Sequence, residues 1–130
     1  GATENAVLAA FHASGKTILN NCATEPEVKD LIKFLNKLGG KITILGRKIL
    51  ITGCKKIKKN INHEVIFDRI ELGTYMIAAA LVGKKIIFNK IDPTVIKNEI
   101  NILKKMGVKL KTQKSTIEIF KSKNIKKNKH

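Results

Sequence analysis

One pattern is written twice along this chain, and it limits the fold more than any other feature of the sequence. At an offset of 68, Gly15 falls on Gly83, Lys16 on Lys84, Ile18 on Ile86 and Asn21 on Asn89. Further along, Ile32 falls on Ile100, Leu35 on Leu103, Gly39 on Gly107, Ile42 on Leu110, Ile49 on Ile117 and Ile51 on Ile119. Glycines set turns and apolar positions set cores, so matches at both kinds of position mark a repeated structural unit. The unit reads helix, strand, helix, strand, strand. The fold class is therefore α/β in the α+β sense, with two tandem copies.

Residues 4–13 are Ala-rich and read as a buried helix, with Thr3 as the candidate N-cap and Gly15 as its stop. Lys16 to Asn21 is a short strand. Thr24-Glu25-Pro26-Glu27 has the S/T-x-x-E form of a capping box, with Pro in the first turn. The helix after it puts Val28, Leu31, Ile32, Leu35 and Leu38 on one face and ends at Gly39. Lys41–Leu45 and Lys48–Thr52 form a hairpin through Gly46-Arg47. Residues 55–62 are polar and basic and read as a linker or boundary. In the second copy, Glu64–Phe67 is a candidate leading strand that the first copy lacks. Arg69–Val82 is a buried helix and Lys85–Asn89 a strand. Asp92-Pro93 opens a helix with Val95, Ile96, Ile100, Leu103 and Met106 inward. Val108–Thr112 and Thr116–Phe120 form a second hairpin. The expected boundaries are 1–60, 61–121 and a basic disordered tail over 122–130.

The chain carries 26 basic against 10 acidic residues, a net charge of +16, which invites a nucleic-acid reading. Yet 24 of the 26 are Lys, and only Arg47 and Arg69 offer the planar fork suited to phosphate and guanine. The lysines are spread over every segment, which points to compositional bias and disfavours a nucleic-acid partner. A basic nucleic-acid-binding module is kept as the alternative. Five Phe, one Tyr and no Trp leave an aliphatic core. Two cysteines, Cys22 and Cys54, make neither a disulfide framework nor a zinc pattern, and free thiols are expected. The longest apolar run, Met76–Val82, is far too short to span a membrane, so the expected place is the cytoplasm.

Three segments could carry chemistry. Asp68-Arg69-Ile70-Glu71 gathers charge ahead of a buried helix, where an anion could be met or where Asp68 simply caps the helix and pairs with Arg69. Glu25 and Glu27 flank Pro26 and could position a polar substrate or a catalytic base, or else serve the helix terminus. Gly1-Ala2-Thr3 opens a helix with bare backbone. Neither cysteine has a neighbouring base, and His12, His63 and His130 suggest no site.

Three stretches, in order, resemble the UDP-N-acetylglucosamine 1-carboxyvinyltransferase family. They are Gly-Ala-Thr-Glu-Asn-Ala at 1–6, Asn-Cys-Ala-Thr-Glu-Pro-Glu-Val-Lys-Asp at 21–30 and Asp-Arg-Ile-Glu-Leu-Gly-Thr at 68–74. The family's usual forms are Val-Gly-Ala-Thr, Asn-Ala-Ala-Arg-Glu-Pro-Glu and Asp-Arg-Ile-Glu-Thr-Gly-Thr. Thr24 thus stands where Arg is usual and Leu72 where Thr is usual. The resemblance implies two inside-out α/β barrel domains (inverse α/β prisms), each of three βαβαββ repeats around a pseudo-threefold axis. The substrate cleft lies between them. This chain would be an internal piece, giving the last repeat of one domain, without its first strand, and then a repeat of the other. The family moves enolpyruvyl from phosphoenolpyruvate to the 3′-hydroxyl of UDP-N-acetylglucosamine, in peptidoglycan synthesis, with no metal or organic cofactor. By the same resemblance, Gly1 meets the nucleotide sugar through its backbone, and Glu25, Glu27, Asp68 and Arg69 line the cleft. The family's reactive Cys loop and general-base Asp have no counterpart here. The chain alone is expected to be inactive, to lack a catalytic residue of its own, and to need the remaining polypeptide or to self-associate.

Overall fold

Each copy of the pattern supplies two apolar-faced helices and three strands too short to be stable by themselves, so each needs an interior of its own. The computed structural model describes residues 1–122. It divides into two compact units, Gly1–Ile66 and Phe67–His130. The first holds α1 (Ala2–His12), β1 (Lys16–Leu19), α2 (Pro26–Lys37), β2 (Lys41–Leu45) and β3 (Lys48–Thr52). The second holds α3 (Arg69–Val82), β4 (Lys85–Asn89), α4 (Lys97–Lys105), β5 (Leu110–Gln113) and β6 (Thr116–Phe120). The fold is α+β, with a small antiparallel sheet in each unit, ordered β1-β3-β2 in one and β4-β6-β5 in the other.

The alternation of the central strands fixes which face is buried. Ile49 and Ile51 of β3 point inward with Val7 and Phe11 of α1 and Val28, Ile32 and Leu35 of α2. Ile117 and Ile119 of β6 do the same with Met76 and Ala79 of α3 and Ile96, Ile100 and Leu103 of α4. The apolar residues named in the sequence thus form one cluster per unit. Gly39 and Gly107 both take positive φ just past their helices, +109° and +87°, as helix-ending glycines do.

The two copies correspond, but not at one offset. From α2 onward 68 holds: Lys41 pairs with Thr52 in the first unit, and Leu110 with Ile119 sits in the same register in the second. Before that the correct offset is 69. The Cys54 amide donates to the Phe11 carbonyl (2.8 Å), and the Ser122 amide to the Ala80 carbonyl (3.0 Å). Likewise Gly53 donates to Gly15, and Lys121 to Lys84 rather than to Gly83. The positive φ of Asn21 (+55°) recurs at Lys90 (+57°), not at Asn89. The second copy is one residue shorter in the turn between β4 and α4.

Several expected local features are corrected. Glu64–Phe67 is not a strand. An extended segment becomes one only beside a partner's amides, and neither sheet pairs with it. Both units are therefore αβαββ. Residues 55–62 are not a free linker, since the Lys58 amide donates to the Leu38 carbonyl (2.8 Å) and Lys37 Nζ to the Asn62 carbonyl (2.9 Å). The boundary falls between Ile66 and Phe67. Gly1, not Thr3, caps α1. No capping box forms from Thr24, because Pro26 takes the first helical position and leaves Glu25 as the flanking residue, without a side-chain cap bond. α4 begins at Lys97 rather than at Asp92-Pro93. Asp92 Oδ1 collects the Thr94 amide (2.9 Å) and hydroxyl (2.7 Å), which holds 92–94 in a turn. The expected tail over 122–130 loses its first member, as Ser122 is hydrogen-bonded, and its remainder lies outside the described residues. No helix among the described residues is long and apolar enough to cross a membrane.

Candidate functional site

In the first unit, three things meet at the turn over 20–25: the N-terminus of α1, the N-terminus of α2 and the β2–β3 hairpin tip. The Cys22 amide donates to the Arg47 carbonyl (2.8 Å), tying the turn to the hairpin. Arg47 Nε and Nη2 both donate to Asn21 Oδ1, at 3.1 and 2.8 Å. On the other side, the Ala23 amide donates to Thr3 Oγ1 (3.0 Å), tying the turn to α1. Thr3, read from sequence as a cap, instead joins two segments twenty residues apart.

This turn carries the two predicted carboxylates. Glu25 is exposed at the N-cap of α2, where its carbonyl accepts from the Val28 amide (3.1 Å). Glu27 is exposed in the first turn. Its charge is felt at Glu4 of α1. Glu4 is held below the ordinary carboxylate range, first by its own backbone amide and then by the N-terminal amine, which lies 3.0 Å away; Glu27 pushes the other way. Gly1 faces open space, with nothing within 4 Å of where a β-carbon would stand. The structure thus pairs Gly1 with Glu4 at the N-terminus of α1 and sets Glu25 and Glu27 at the N-terminus of α2.

In the second unit, Asp68 is the N-cap of α3, and its Oδ1 accepts from the Ile70 (2.8 Å) and Glu71 (3.1 Å) amides. The capping reading of Asp68 is therefore correct as geometry. Arg69 reaches from α3 toward α4, with Nη1 3.8 Å from Glu99 Oε1. Glu99 also borders an apolar hollow of about 350 Å³ between these helices, lined by Ile77, Leu81, Ile102 and Met106.

The remaining polar groups are structural. Cys22 is buried, Cys54 is half-buried with Sγ 3.4 Å from the Lys56 carbonyl, and both thiols are free. His12 packs edge-on against Phe11. His63, which looked uninformative in sequence, is nearly buried with Nε2 3.2 Å from Oδ2 of Asp30, the one buried charged residue among those described. The signal was Asp30 itself, since a carboxylate on the flank of an apolar helix face needs a partner. Among the described residues no group of three or more His, Cys, Asp or Glu could hold a metal ion.

The model of the EPSP synthase (3-phosphoshikimate 1-carboxyvinyltransferase) family matches residues 1–129. This chain belongs to that family. Within it, curated relatives similar to this chain are UDP-N-acetylglucosamine 1-carboxyvinyltransferases. One from Pelagibacter ubique is 48% identical over 97% of this chain, and one from Endomicrobium trichonymphae 46% identical over the same share. The family fold is seen in two solved structures. The enolpyruvyl transferase NikO from Streptomyces tendae has a TM-score of 0.84 at 21% identity, over 95% of this chain and 30% of its own. EPSP synthase from Acinetobacter baumannii gives 0.60 at 24% identity, over 89% and 28%. The chain spans about 30% of the length of the curated relatives it matches.

Proposed function

We propose that this chain is one part of the enzyme that transfers enolpyruvyl from phosphoenolpyruvate to UDP-N-acetylglucosamine in peptidoglycan synthesis. The observation that carries the reading is identity of 41–48% to transferases of that name, across nearly the whole chain but under a third of their length. On this reading the first unit is the last repeat of one inside-out α/β barrel domain, and the second unit is a repeat of the other. Gly1, Glu25 and Glu27 of the first unit, and Asp68 and Arg69 of the second, serve the substrate cleft of the complete enzyme. The bare, open backbone at Gly1 suits a nucleotide-sugar contact. The exposed carboxylates at Glu25 and Glu27 can accept hydrogen bonds from sugar hydroxyls. Arg69 supplies a fork for an anion, and Asp68 fixes the helix from which it projects.

Transfer needs a proton donor at the enolpyruvate carbon, a base for the sugar hydroxyl and cations around the departing phosphate. Such groups act by being held in place beforehand in a closed cleft, and loss of one costs roughly two to three orders of magnitude. The cleft residues proposed here do not include the general-base Asp that the family uses and hold only one arginine, so the chain is expected to need the rest of the polypeptide. The apolar hollow between α3 and α4, with Ile77 and Leu81 about half exposed, is the sort of face that such a polypeptide, or a second copy, would cover. The working place is the cytoplasm, where both substrates would be met. A phosphate-release assay with phosphoenolpyruvate and UDP-N-acetylglucosamine tests the reading. No turnover is expected from the chain alone, and turnover is expected once the missing length of a relative is added in trans. Turnover by the chain alone would overturn the claim that it is incomplete.

A further inference from the structure

The two units offer an internal control for the turn that carries Glu25 and Glu27. Both bend the chain by one residue of positive φ after the first strand, at Asn21 and at Lys90. Both then anchor the next amide to the hairpin tip, Cys22 to the Arg47 carbonyl and Ile91 to the Ser115 carbonyl. The backbone scaffold is therefore complete in the second unit without help from these side chains. The first unit alone adds side-chain bonds that tie the turn to the hairpin tip and to α1; the second unit's turn is bonded only within itself, through Asp92 and Thr94. Arg47 places two donors on Asn21 Oδ1, and Thr3 Oγ1 takes the Ala23 amide. At the corresponding places the second unit has Ser115, Lys90 and Leu72. Serine has no fork, lysine no acceptor and leucine no polar atom, so none of these bonds can be rebuilt there. The second unit's turn is also one residue shorter and carries no glutamate, reading Asp92-Pro93-Thr94-Val95.

Arginine is scarce in this chain, two against 24 lysines, and one of the two is used here. A lysine could supply charge at the hairpin tip but not two donors in a fixed plane. The requirement at position 47 is thus geometric. We infer that Arg47, Asn21 and Thr3 form a clamp whose role is to position Glu25 and Glu27. They are positioning residues, not catalytic ones. The inference rests on the proposal that those two glutamates serve the nucleotide-sugar cleft, and it names what holds them there.

Two measurements decide it. In the chain alone, Arg47→Ala and Arg47→Lys should each speed amide exchange at Ala23 and Val28 about five- to tenfold. Exchange at Ile91 and in the strands of the second unit should not change. Unchanged exchange at Ala23 and Val28 would overturn the clamp. With the remaining length of a relative supplied in trans, Arg47→Ala should raise KM for UDP-N-acetylglucosamine about tenfold with little change in kcat. In a Glu25→Ala/Glu27→Ala background the same substitution should then cost nothing further. An additive loss would show that Arg47 acts on its own account, and would also overturn the inference. If the wild-type mixture shows no turnover, the cleft reading of the glutamates fails by itself, and amide exchange still decides the clamp.

Discussion

Two aspartates in the second unit both bond to groups within three residues along the chain, and they show what single residues reveal. Asp68 caps α3 through two backbone amides, both within three residues of it, so its role was legible from its place before an apolar helix. Asp68→Ala is expected to destabilise the second unit by about 1 kcal/mol, lowering its melting temperature by roughly 4–8 °C, whereas Asp68→Asn keeps most of the cap. Thermal melts of the three proteins check this. Asp92 is held below the ordinary carboxylate range, first by the Thr94 hydroxyl and then by its amide. A carboxyl with a lowered folded pKa adds stability above its unfolded value, and loses it as pH falls through the folded one. The wild-type advantage over Thr94→Val should therefore be full near pH 6 and fade below about pH 4. Urea midpoints for both proteins across that range test the sign, and an advantage that grew in acid would contradict it. The Arg47–Asn21 bonds were not legible in the same way, because they join residues 26 apart whose meeting depends on the finished fold.

At the scale of elements, both hairpins were read to the right turns, and β2, β3, β4, β6 and α3 to their observed ends. Their signals are local: alternation, a glycine at the turn and a run of helix formers. Misplaced starts arose where a side chain competes for backbone groups. Asp92 delays α4, and Pro26 displaces Thr24 from the cap. The offset was misjudged in the first half because Gly15 with Gly83 and Asn21 with Asn89 make a tempting alignment, while the backbone bonds follow 69. Close approach of elements was equally hidden. A β-carbon on Gly53 would stand 1.7 Å from the Ala13 carbonyl oxygen, so β3 and the end of α1 touch through bare backbone. Gly53→Ala is expected to cost about 3 kcal/mol, seen as a lower urea midpoint for the first unit. Lys121 holds the equivalent place in the second unit, so the closeness belongs to the first unit alone.

For the whole molecule, the repeat predicted two halves and the structure gives each its own buried cluster. Met76 is fully buried at the centre of the second. Met76→Ala should remove about 2–5 kcal/mol, comparable to the full margin of so small a unit. Amide spectra are then expected to lose the dispersed signals of residues 67–122 while those of the first unit persist; simultaneous loss of both sets would contradict separate cores. The candidate site was legible only through its words at 1–6, 21–30 and 68–74. Spacing alone could not distinguish a carboxylate that meets substrate from one that ends a helix. The strand order has a consequence for crowding. Each sheet places β3 or β6 in the middle, so β1, β2, β4 and β5 each have one side unpaired within their sheet. These four carry exposed Lys16, Lys41, Lys85 and Lys111, whereas the two middle strands have only Lys48 between them. A lysine on an open flank resists the addition of a foreign strand, since docking would bury its charge or set it against another. Four of the 24 lysines thus stand on the strands whose free flanks would otherwise invite amyloid-like stacking.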